Sequence, residues 1–168
     1  MGAGKSTIGR LLSAQLGLTF VDSDKEIEER SGANIPWIFD LEGEEGFRER
    51  ESQVLADLVK EPAQVLATGG GAILREHNRS LLRSAGVVVY LKTSVAQQLL
   101  RTAKDKNRPL LQNPNPSQIL KSMAQLRNPL YEATAHIAIE TNGHSPRSVV
   151  RDILRQIKAL DIAYEINR

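Results

Sequence analysis

The sequence contains no cysteine, which excludes disulfide bridges, thiolate nucleophiles and cysteine-based zinc sites and fits a reducing cytoplasm. No apolar run approaches the ~18 residues that a membrane-spanning helix needs. Aromatic residues make up only 4% of the chain, too few for the stacking platforms that hold single-stranded nucleic acid. Charge of one sign is also missing: 22 Lys and Arg stand against 20 Asp and Glu, a net charge of +2. No basic field therefore marks a nucleic-acid binder. No repeat, low-complexity tract or break in composition divides the 168 residues, so a single domain over 1–168 is expected. Met1-Gly2-Ala3-Gly4-Lys5-Ser6 formally matches a myristoylation signal, but a phosphate loop accounts for the same letters better.

What is present is an alternation of short apolar runs with helical patterns, the signature of βαβ units and a parallel sheet. The expected strands are 18–22, 64–68, 87–91 and 136–140. The run Val87-Val88-Val89-Tyr90-Leu91 is apolar throughout, as for a strand covered on both faces. Ile8, Leu11, Leu12 and Leu16 recur at helical spacing, as do Val149, Val150, Ile153, Leu154 and Ile157, and both sets predict amphipathic helices on the sheet. Segment 107–117 carries three prolines and reads as a loop between helices, with a lid as the natural hypothesis.

Gly2-Ala3-Gly4-Lys5-Ser6-Thr7, followed at once by a helix, is most of a Walker A loop. Glycines let the backbone wrap a phosphate chain, amides at the helix start face the anion, Lys5 reaches the outer phosphates and the Ser6 hydroxyl suits Mg²⁺. The full pattern has a further glycine five places before Gly4, and a buried strand feeding the loop. Neither is in the sequence, so a chain beginning at Met1 is expected to lack one strand of its sheet.

Ligands of open α/β sheets bind beyond the carboxyl ends of the strands. Asp22-Ser23-Asp24 ends the first strand; extended residues two apart point the same way, so both carboxylates can face one site. Ser23 or Asp24 could equally supply a helix N-cap. Gly69-Gly70-Gly71 ends the second strand, where a backbone must turn tightly or approach a ligand. Arg48 lies on a charged helix, while Arg108 and Arg127 are read as loop arginines fit to neutralise a phosphoryl group or grip a carboxylate. His77, His136 and His144 show no metal-ligand spacing, and Trp37, Phe39 and Phe47 are assigned to core or pocket wall.

Taken in order, Gly-Ala-Gly-Lys-Ser-Thr, Asp22-Ser23-Asp24, Phe47-Arg48 with Glu51, Gly69-Gly70-Gly71, Arg108-Pro-Leu-Leu and Arg127-Asn-Pro-Leu-Tyr resemble the bacterial shikimate kinases over nearly the whole chain. The resemblance implies a three-layer α/β/α P-loop kinase fold, with a parallel sheet of five strands of which four are visible, and a mobile lid over about 103–117. It implies transfer of the γ-phosphoryl of ATP to the 3-hydroxyl of shikimate by a cytoplasmic monomer. Gly2, Ala3, Gly4, Lys5, Ser6 and Thr7 would carry the ATP phosphates, Ser6 and Asp22 would hold Mg²⁺, Asp22 through water, and Arg101 and Pro146 would flank the adenine. Asp24 would act as base, Arg108 would close on the phosphates, Arg48 and Arg127 would hold the substrate carboxylate, Glu51 would support Arg48, and Gly69, Gly70 and Gly71 would lie against the ring. A related kinase, such as one for gluconate, and a nucleotide-binding module without catalysis are the competing readings. The tail 161–168 matches no pattern.

Overall fold

The computed structural model describes residues 2–102 and 115–160. Helix α1 (Lys5–Leu16) leads into strand β1 (Thr19–Asp22), followed by α2 (Ser23–Ser31), α3 (Ile35–Leu58) and β2 (Gln64–Ala67). A short 3₁₀ turn (Ala72–Leu74) joins β2 to α4 (Glu76–Ala85); β3 (Val89–Lys92), α5 (Val95–Thr102), α6 (Pro116–Thr134), β4 (Ile137–Glu140) and α7 (Pro146–Ala159) complete the order. The four expected strands form, three of them one residue shorter and the one expected at 87–91 shifted to Val89–Lys92, and both amphipathic patterns become α1 and α7.

Local chemistry sets the boundaries. Asn34, Asn115 and Ser145 cap α3, α6 and α7 by accepting from the amides of Trp37, Gln118 and Ser148, with proline in the first turn of each helix. Helix α3 is kinked where Gly43 adopts φ 70, ψ −177, and Arg50 holds Glu42 across the kink at 2.6 Å.

Strands β1 and β2 pair in parallel, and so do β3 and β4. Successive residues of β2 face opposite ways. Val65 joins the core of Ile8, Leu12, Ile139, Val149 and Ile153 from α1, β4 and α7, whereas Leu66 joins Ile27, Ile38, Phe47 and Val54 from α2 and α3. Helices thus cover both faces, giving the three layers of an α/β domain.

The two strand pairs do not join into one sheet. Between β2 and β3 runs a cavity of about 850 Å³, lined by Val65 and Ala67 on one side, Val89 and Leu91 on the other, with Leu12 from α1 and Met123 from α6. The facing edges of β2 and β3 therefore have no strand between them among the described residues, as the incomplete phosphate-loop pattern predicts. For the same reason β3 is only half-buried along its length rather than enclosed. Strand β4 alternates buried and exposed residues, as an edge strand with one covered face does.

Candidate active site

The phosphate loop is built by two left-handed glycines. Gly2 has φ 66 and Gly4 φ 85, a region costly for any residue with a Cβ, and the Gly4 carbonyl accepts the first helical bond from Ile8 at 2.9 Å. Lys5 opens α1, and no acid occupies the first turn, so the positive end of the helix is uncompensated and suits an anion. Thr7 is exposed on that turn. Arg101 braces the loop from α5, donating to the Gly2 carbonyl at 3.0 Å and to the Thr141 carbonyl at 3.3 Å. Pro146 opens α7, exposed, five residues beyond Thr141.

Ser6 donates its hydroxyl proton to Asp22 Oδ2 at 3.1 Å, joining the loop to the end of β1. Asp22 and Asp24 do not reach the site by alternating along one strand. Asp22 is the N-cap of α2 and accepts from the Asp24 amide at 3.1 Å, and Ser23 and Asp24 are already helical. Asp24 reaches the site from the first helical turn instead. Burial, and then the neighbouring Asp22, hold its carboxyl above the usual range, against Lys5, which lowers it.

The glycines after β2 are there for lack of a side chain and not for unusual dihedrals, since none of them has positive φ. A Cβ on Gly69 would lie 2.6 Å from Asp24 Oδ1 and 2.7 Å from Glu51 Oε1, and one on Gly71 would lie 2.4 Å from both terminal nitrogens of Arg48. The close approach expected of a ligand is thus made first by the protein's own charged groups. Ser23, fully buried, accepts the Gly69 amide at 3.1 Å and so ties the turn bearing Asp24 to this ribbon.

Arg48 donates to Glu51 at 2.9 Å and to Glu44 at 3.1 Å. Glu51 is fully buried, and burial raises its carboxyl while Arg48 lowers it. Its Oε1 has no hydrogen-bond partner among the described residues, and neither has Arg127 Nε. Arg127 is not on a loop as its Asn-Pro neighbours suggested: α6 runs through Pro129, which only removes one helical hydrogen bond. One helix face thereby presents Arg127 and Tyr131, and a Cβ on Gly70 would lie 3.7 Å from Arg127 NH1. Arg108 and most of the expected lid lie outside the described residues; Asn115, Pro116 and Ser117, assigned to that lid, are the cap and first turn of α6.

Trp37, assigned to the core or a pocket wall, is 57% exposed at the start of α3, while Phe39 and Phe47 pack together with centroids 4.7 Å apart. Ser23 and Tyr131 touch the glycine ribbon but were not singled out in the sequence. For Tyr131 the signal was available, because it follows Arg127 by one helical turn; for Ser23 it was not, because only the pairing of β1 with β2 brings it to Gly69.

Comparison with known proteins places the chain in one family. The family model described as "Shikimate kinase" matches residues 1–158. A shikimate kinase of Pseudomonas paraeruginosa is 59% identical over 160 residues, covering 95% of this chain and 93% of that protein. Among solved structures, shikimate kinase from Acinetobacter baumannii in complex with shikimate superposes with a TM-score of 0.92 at 53% identity, over 96% of this chain and 90% of that one. The enzyme from Aquifex aeolicus gives 0.84 at 35% identity, over 96% and 94%.

Proposed function

The chain belongs to the shikimate kinase family and transfers the γ-phosphoryl of ATP to the 3-hydroxyl of shikimate, and we propose the following roles for its residues. The observation that carries them is the glycine ribbon after β2. At its start stand two carboxylates, at its end one guanidinium, and a second guanidinium meets its middle. A small ring with a hydroxyl at one end and a carboxylate at the other suits that distribution of charge.

Asp24 orients the attacking hydroxyl and accepts its proton as the new O–P bond forms. Arg48 and Arg127 hold the carboxylate at the far end, with the unpartnered Arg127 Nε available as one of its donors. Glu51 holds Arg48 in place, and Gly69, Gly70 and Gly71 leave room for the ring. Gly2, Ala3, Gly4 and Thr7 wrap the phosphates with backbone amides, Lys5 draws charge from the β- and γ-oxygens, and Arg101 and Pro146 border the adenine. Arg108 closes on the phosphates and keeps water from the γ-phosphoryl. The rate then comes from alignment and charge neutralisation, since phosphoryl transfer asks little covalent chemistry of the protein.

Ser6 and Asp22 form a hard oxygen pair, and among the described residues no cluster of three or more His, Asp or Glu is arranged to hold a metal unaided. This suits Mg²⁺, which keeps most of its waters and takes one or two protein ligands plus substrate phosphates. Ser6 would hold Mg²⁺ directly and Asp22 through water, and the ion would supply positive charge to offset that developing on the phosphate oxygens. We place the enzyme in the cytoplasm as a monomer. The absence of cysteine fits the reducing cytoplasm; among the described residues no helix is long and apolar enough to cross a membrane.

Arg127→Lys tests the assignment. Lysine keeps the charge but loses the planar fork, so shikimate use (kcat/KM) should weaken by roughly 1.5–3 kcal/mol with little change in the KM for ATP. Equal losses for both substrates would move Arg127 to the nucleotide site or the fold.

A further inference from the structure

Tyr131 ends the segment that begins at Arg127, and the roles above leave it without one. The two side chains leave the same face of α6, four residues apart. A phenol has one proton to donate and lone pairs with which to accept. The Tyr131 hydroxyl donates to the Gly70 carbonyl, and burial raises the phenol's pKa while the Arg127 charge beside it lowers it. A Cβ on Gly70 would fall 3.4 Å from the phenol oxygen and 3.7 Å from Arg127 NH1, so backbone, phenol and guanidinium meet at one place. The ring is itself fixed. It stacks on Tyr90 with centroids 4.9 Å apart and planes at 23°, and the Tyr90 hydroxyl donates to Asn128 at 3.1 Å.

We propose that Tyr131 is a positioning residue that fixes the plane and distance of the Arg127 guanidinium relative to the glycine ribbon, and so selects substrates bearing a planar carboxylate at that end. This rests on the reading of Arg127 as part of the carboxylate grip. A two-point contact between guanidinium and carboxylate needs the two planes aligned. A flexible arginine tied only by its own stem loses freedom on binding, whereas one confined between the phenol and the glycine ribbon arrives oriented. Tyr131 therefore acts on the carboxylate end alone and leaves the γ-phosphoryl end untouched.

Tyr131→Phe keeps the ring, the stack on Tyr90 and the side-chain volume, and removes only the oxygen. The KM for shikimate should rise about threefold to tenfold, the usual worth of one neutral hydrogen bond, while kcat and the KM for ATP stay within twofold. Shikimate methyl ester, followed by ADP release, should lose much less, because it offers no carboxylate to align. Combined with Arg127→Lys, the loss should fall short of the product of the single losses, since one contact cannot be removed twice. An unmoved KM, equal losses on acid and ester, or a double variant at the full product would each overturn the proposal. If Arg127→Lys raises the KM for shikimate and Tyr131→Phe does not, only Tyr131's role falls. If Arg127→Lys leaves it unmoved, the carboxylate grip falls and this role falls with it.

Discussion

Replacing Gly71 with alanine asks whether the ribbon is glycine so that Arg48 can lie against it. A Cβ there would sit 2.4 Å from both terminal nitrogens of Arg48 and 2.5 Å from its central carbon, where relaxed contacts settle near 3.5–4.0 Å. The guanidinium must retreat by about 1 Å or more. The backbone adds no strain, since φ at Gly71 is −97, open to any residue. The clash also falls on the end of a flexible side chain, so the domain still folds. What suffers is the Arg48–Glu51 pair, 2.9 Å long with its acid wholly buried. A hydrogen bond to a charged group is worth about 1.5–3 kcal/mol, and a buried carboxylate deprived of its cation takes up a proton. Burial already raises Glu51 against the pull of Arg48, so weakening that pull raises it further. The expected result is a KM for shikimate raised about tenfold to a hundredfold with a much smaller change for ATP, and a cooperative melt shifted down by roughly 2–4 °C per kcal/mol lost. Initial rates measured against each substrate in turn read out both constants. In an Arg48→Ala background the same Gly71→Ala change should add little. A full further loss in that background would show that the alanine methyl blocks substrate directly and that Arg48 is not the reason for the glycine.

Asp24→Asn should lower kcat by ~10²–10⁴-fold while ATP still binds by titration; near-normal kcat would remove Asp24 from the proton's path. The cavity between β2 and β3 predicts that an apolar β-branched strand of about ten residues, added ahead of Met1 and ending in Gly-Pro, raises Tm and tightens ATP binding together. Unchanged melts and affinities would show that neither strand edge needs a partner. His136 Nδ1 accepts the Val88 amide at 3.0 Å, and burial, then the Arg83 charge, hold its pKa below the ordinary 6.5. A group depressed in the folded state binds protons more readily when unfolded, so its stabilisation is present above pH 6.5 and lost as pH falls through the lower folded value. Melts over that range should flatten in His136→Asn; an unchanged slope would assign the acid sensitivity elsewhere.

The parts of this protein that arise from neighbours in sequence were legible without coordinates. Lys5, Ser6 and Gly4 sit together because they are adjacent, Leu12 and Leu16 face the core because a helix repeats every 3.6 residues, and the gap between β2 and β3 among the described residues was foreshadowed by an incomplete phosphate-loop pattern. Residues that depend on a helix continuing or stopping were harder. Asn-Pro after Arg127 reads as a break, yet packing of α6 carries the helix through it, and Asp24 left the extended geometry of β1 because Asp22 caps a helix that already begins at Ser23. Contacts across strands could not be read at all. Nothing local links Ser23 to Gly69, or Glu51 to Gly69 and Arg48 to Gly71, until β1 and β2 pair and α3 packs beside them. The sequence by itself determined which chemistry is carried and on which elements, because spacing along a helix or strand is a local property. Only the tertiary structure decided which charged groups share one surface and why glycine must lie between them, because that follows from distances between segments far apart in the chain.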